Sequence, residues 1–70
     1  MPEIVIYLAE GREPDKKRAL MKDITDAVIK NFGVPADAVV VQIVESRRAD
    51  KMKGGLLFTE RAPPKPAPKG

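Results

Sequence analysis

The 70-residue chain contains no cysteine, no histidine and no tryptophan. Without cysteine it can form neither a disulfide nor a thiolate metal site. Without histidine it lacks the commonest metal ligand and the side chain best suited to proton transfer near neutral pH. No apolar run approaches the roughly 20 residues that a membrane-spanning helix needs. The N-terminus shows no basic segment leading into an apolar one, so no secretory signal is expected. The aromatics are Tyr7, Phe32 and Phe58 alone. Thirteen basic and ten acidic residues leave a net charge of only +3. Nucleic-acid modules usually show a stronger basic bias and more aromatics for stacking. The balance suits a small anionic ligand better. The missing cysteines fit a reducing cytoplasm.

A chain this short buries little of its own surface. Small domains compensate with disulfides, a metal or oligomerisation. Oligomerisation is the route left, and no cofactor is implied.

Residues 3–9 alternate Ile4, Ile6 and Leu8 on one face with Val5, Tyr7 and Ala9 on the other. Both faces are apolar, which predicts a strand covered on both sides. Gly11 ends it. Pro14 and Asp15 open a helix, since proline tolerates the first turn and an acid complements the helix dipole there. Leu20, Ile24, Ala27, Val28 and Phe32 then form one apolar stripe, predicting a helix over 14–32. Gly33 suits the position just past its end, and Pro35 prevents continuation. Residues 34–37 connect, with room for one 3₁₀ turn, to a second strand over 38–45.

Strand, helix, strand with short links is a βαβ unit whose two strands should be parallel. The expected fold is therefore α+β. It has two parallel strands, one helix and a short C-terminal strand or hairpin arm at 56–59, with the domain covering residues 1–61. One helix covers one sheet face, so a second subunit is expected to cover the other. Residues 46–55 read as a polar loop. Residues 62–70 hold four of the seven prolines and read as a disordered, Pro- and Lys-rich tail.

With no histidine or cysteine, one general base is easily overlooked. Removal of Met1 would give Pro2 a free secondary amine. Burial or a nearby cation would lower the pKa of that amine, because both disfavour the ammonium form. Arg12 follows Gly11 at the far end of the first strand. Its guanidinium can grip a carboxylate through two parallel hydrogen bonds. Taken alone, each residue is better read as ordinary. Together, Pro2, a strand of set length and Glu10-Gly11-Arg12 are more specific, and the strand length sets the separation of base from anchor.

This combination resembles the 4-oxalocrotonate tautomerase family. Leu8-Ala9-Glu10-Gly11-Arg12, Val44-Glu45 and Gly54-Gly55 match its landmarks without a gap from Pro2 to about Arg61. The resemblance implies a short βαβ subunit assembled into hexamers as trimers of dimers. It implies that Pro2 is the general base for moving a proton on a small unsaturated 2-hydroxy or 2-oxo acid, as in ketonisation of 2-hydroxymuconate. It puts substrate-carboxylate binding on Arg12 and a substrate-binding backbone N–H near Ala9.

Two departures stand out. The arginine that family members carry on the second strand, which polarises the substrate oxygen, is Val40 here. The loop aromatic that makes their pocket apolar falls on Lys51, and its neighbouring glycine on Met52. Lys51 is then a candidate substrate-binding cation, and Arg47, Arg48 or Lys53 could take over polarisation. The alternative is a weakly active or non-catalytic subunit of a heterohexamer, needing a partner chain to supply the missing arginine. A third reading, nucleic-acid binding through the basic loop and tail, predicts binding that weakens steeply with salt.

Overall fold

The computed structural model describes residues 1–61; the tail expected at 62–70 lies outside the described residues. Strand β1 spans Glu3–Ala9 and helix α1 spans Pro14–Phe32. A 3₁₀ turn at Ala36–Ala38 leads into strand β2, Val40–Ser46. A second 3₁₀ turn, Arg48–Asp50, precedes the hairpin strands β3, Met52–Lys53, and β4, Leu56–Leu57. A third turn follows at Phe58–Glu60. β1 and β2 are parallel, in register from Glu3 opposite Val40 to Ala9 opposite Ser46. The architecture is the expected βαβ unit with a short C-terminal hairpin.

The second strand starts two residues later than the hydrophobic run suggested. Ala38 donates its N–H to the Pro35 carbonyl at 3.0 Å, and Val39 to Ala36 at 3.1 Å. Those i→i+3 bonds consume donors that a strand would need, so β2 begins at Val40. Helix α1 has Pro14 at its start and ends on Gly33 in the left-handed region, at φ 68°. There the Gly33 N–H reaches the Ile29 carbonyl at 2.9 Å. Only glycine adopts this conformation without a Cβ penalty. Gly33→Ala is expected to cost about 1–2 kcal/mol, read as a lower denaturant midpoint with an unchanged slope.

The helix face against the sheet differs from the expected stripe. Met21, Ile24, Thr25, Val28 and Ile29 are half-buried, while Leu20, Ala27 and Phe32 are exposed. Near its start Lys17 reaches across to the sheet, its Nζ 2.9 Å from Glu45 Oε1 on β2. Thr25 tolerates the inner face because its hydroxyl donates to the Met21 carbonyl at 2.8 Å.

Ile4, Ile6 and Leu8 of β1, with Val41 and Ile43 of β2, form the half-buried face of the sheet. On the opposite face Val5, Tyr7, Val40 and Val44 are exposed, Tyr7 at 73%. No described side chain is fully buried in the single chain.

One edge of β1 is also open. Val40 donates to the Pro2 carbonyl, and Glu10 donates to the Ser46 carbonyl. Hydrogen-bonding direction alternates along a strand, so the even-numbered residues of β1 face β2. Glu3, Val5, Tyr7 and Ala9 therefore turn their N–H and C=O groups away from it. Such an edge is a ready template for another strand.

Candidate functional site

A cleft of about 580 Å³ opens where β1 ends. One wall is the strand end, Tyr7 to Arg12; the other is made by Arg48, Lys51 and Phe58. The chain holds these pieces together with few bonds. Glu10 extends the ladder through its N–H, and its Oε2 accepts the backbone N–H of Arg48 at 3.1 Å. That bond ties the second 3₁₀ turn to the strand end. Gly54 and Gly55, at φ 62° and 83°, form a two-residue turn that sets Met52 opposite Leu57. Tight hairpins of this kind need φ > 0 at both central residues. The register continues one step further, where the Phe58 N–H donates to the Lys51 carbonyl at 2.8 Å. Arg61 Nη2 donates to the Lys53 carbonyl at 2.7 Å, closing the hairpin.

Phe58 is thereby carried into the cleft between two cations. Arg48 Cζ lies 5.8 Å from its ring centroid and Lys51 Nζ 5.9 Å. Both distances are in the range of cation–π attraction. Arg48 Nη2 also donates to the Phe58 carbonyl at 2.6 Å. Lys51 is half-buried, and among the described residues its ammonium reaches only Ser46 Oγ, at 3.4 Å. Arg12 is exposed and makes no hydrogen bond or ion pair with the described residues. Three cations and one carboxylate line the cleft. That carboxylate, Glu10, already accepts a backbone N–H, so the cleft is suited to an anion.

The residues singled out from sequence divide between two places. Arg12, Ala9 and Lys51 meet in this cleft. Ala9 also presents its N–H on the open edge of β1. Pro2 lies at the other end of the strand, where its carbonyl accepts the Val40 N–H at 3.0 Å. At a strand rise of about 3.3 Å per residue, Pro2 is roughly 23 Å from Ala9. A single chain does not bring Pro2 and Arg12 together. Val40 sits beside Pro2 and is 38% exposed.

Of the other cations considered, Arg48 lines the cleft, while Arg47 turns to Asp50 at 3.8 Å and Lys53 is not among the lining residues. Phe58 was missed as a site residue. The loop aromatic expected at position 51 is a lysine, and an aromatic wall comes instead from the residue across the hairpin. Gly54-Gly55 was the available signal: folded as a two-residue turn, it sets Phe58 against Lys51. Among the described residues no acidic cluster could hold a metal ion, and no helix is long and apolar enough to cross a membrane.

Comparison with known proteins agrees with this fold. The family described as "Tautomerase enzyme" matches residues 2–61. A probable tautomerase of Bradyrhizobium diazoefficiens is 56% identical over 62 residues, covering 89% of this chain and 92% of the relative. The crystal structure of a 4-oxalocrotonate tautomerase homologue superposes with a TM-score of 0.83 at 35% identity, over 90% of this chain and all of the other. A heterohexamer 4-oxalocrotonate tautomerase from Chloroflexus aurantiacus superposes at 0.77 with 28% identity, over 86% of this chain and 97% of the other. The chain belongs to the tautomerase family, among its 4-oxalocrotonate-tautomerase-like members.

Proposed function

We propose that the chain is the subunit of a hexameric tautomerase that isomerises a small unsaturated 2-hydroxy or 2-oxo acid, with the amine of Pro2 as base. The observation that carries this reading is the cationic cleft around the unpaired Arg12, at the opposite end of an open-edged strand from Pro2. Two copies joined antiparallel along that edge, about a twofold axis near the strand's middle, bring Pro2 of one chain to the Glu10–Arg12 end of the other. Each pair then has two equivalent sites. The same pairing occupies the free backbone groups, and stacking of such pairs in a hexamer covers the apolar face that carries Val5 and Tyr7. Met1 is 88% exposed and open to removal, and the family match begins at Pro2.

In such a site Arg12 holds a substrate carboxylate, and the Ala9 N–H adds a donor. The nitrogen lone pair of Pro2 takes the proton of the 2-hydroxyl group. As the O–H bond breaks, the C2–O bond becomes a carbonyl and the diene electrons shift. The proton on Pro2 then forms the new C–H bond at the distant carbon. Atoms and electrons balance with no oxidant and no added group. Intact mass and a 2-hydroxymuconate ketonisation assay on one sample test the reading. It requires loss of Met1 together with turnover; turnover by protein that retains Met1 sinks it. Arg12→Ala should lower kcat/KM by about 10²-fold, mainly through KM, because two charge-assisted hydrogen bonds are lost in ground and transition state alike.

A second reading keeps the assembly but gives catalysis to a mixed hexamer. Val40 favours it, since the residue whose N–H reaches the Pro2 carbonyl is apolar where the resemblance puts an arginine. It predicts no turnover by the purified chain and recovery on co-assembly with a related chain that has arginine at that position.

A further inference from the structure

We propose that Lys51 polarises the 2-oxygen of the substrate, taking the part for which the second strand offers only Val40. The inference rests on the reading that the cleft around Arg12 holds the substrate. Of the cleft cations, Lys51 is the one whose side chain is held in place while its charged head keeps no short hydrogen bond to the described residues. Its backbone is locked by the 2.8 Å bond from the Phe58 N–H. Its side chain is half-buried along the Phe58 ring. The ammonium has no carboxylate within ion-pair distance among the described residues. Its one polar contact among the described residues, to Ser46 Oγ, is long at 3.4 Å and weak enough to yield to a better acceptor.

Arg48 is already engaged. Its guanidinium donates to the Phe58 carbonyl at 2.6 Å, and its backbone N–H holds Glu10. Moving its guanidinium to a substrate would break the short bond that ties it to the Phe58 carbonyl. Arg12 is exposed at the cleft mouth, as a carboxylate anchor should be. An ammonium beside an aromatic wall is partly shielded from water, which strengthens its pull on a developing oxyanion. Arg12 and Lys51 therefore have separate tasks: the first holds a carboxylate and the second acts on the oxygen that gains charge.

Binding without turnover separates this claim from the role of Pro2. Two stable diacids, 2-oxohexanedioate and hexanedioate, differ only at the 2-oxygen, and calorimetry on the assembled protein gives both affinities. The wild type should prefer the oxo acid by about tenfold or more, the value of one charge-assisted hydrogen bond. Lys51→Met should erase the preference, and Lys51→Arg should keep it. Arg12→Ala should weaken both diacids together. Lys51→Gln serves in place of Lys51→Met if the latter disturbs the assembly by size-exclusion chromatography. An unchanged preference in the Lys51→Met or Lys51→Gln protein overturns the Lys51 assignment alone. Unchanged affinities in Arg12→Ala, or no binding by the wild type, overturn the cleft reading and the assignment with it.

Discussion

Pro2→Ala, or protein made to retain Met1, is expected to ketonise 2-hydroxymuconate at no more than about 10⁻² to 10⁻⁴ of the wild-type rate, the usual contribution of a positioned base. The chain has no histidine or cysteine to take over. The carboxylate that lines the cleft, Glu10, is a poor substitute, because it is tied to the Arg48 backbone N–H at 3.1 Å. The two variants test different things. Alanine keeps a free primary amine in the same place but loses the secondary amine, so a residual rate reports how much any N-terminal amine can do. Retained Met1 turns the Pro2 nitrogen into an amide with no basic lone pair. Both should keep the secondary structure, since the Pro2 group used by the sheet is its carbonyl, which accepts from Val40. Normal turnover by the Met1-retaining protein would remove Pro2 from the mechanism altogether.

Val5→Asp is expected to abolish both assembly and fold. Val5 lies on the uncovered sheet face and on the open edge of β1 at once. In the isolated chain no described side chain is fully buried, so little apolar surface is withdrawn from water. Ordering each residue costs about 1–2 kcal/mol, which such a chain has little to offset. A carboxylate introduced between two subunits must be desolvated without a partner. The variant should elute as a monomer, lose its helical circular dichroism at micromolar concentration and lose activity in parallel. The wild type should melt at higher temperature as its concentration rises, because association is then part of its stability. A monomeric, fully helical Val5→Asp protein would contradict this.

Much of the fold was legible because local signals agreed. Pro14 and Gly33 marked the ends of α1, and the β-branched runs marked both strands. The rotation of the helix was not legible: Leu20 and Phe32 look as apolar as Met21 and Ile29, and which of them meets the sheet depends on strands distant in sequence. The anchor half of the site was legible as Glu10-Gly11-Arg12. Its aromatic wall was not, since Phe58 reaches Lys51 only once the hairpin has folded. Nor does a strand's sequence say whether its two ends serve one site or two.

That last point bears on how such a gene can diverge. With Pro2 at one end of β1 and Arg12 at the other, under the proposed pairing each chain gives its base to one site and its anchor to another. After a duplication, one copy can lose the anchor and the other the base, and mixed pairs still hold one intact site. Selection then acts on the pair of genes rather than on either alone. The position beside Pro2, already valine in this chain, is where such drift would be tolerated first.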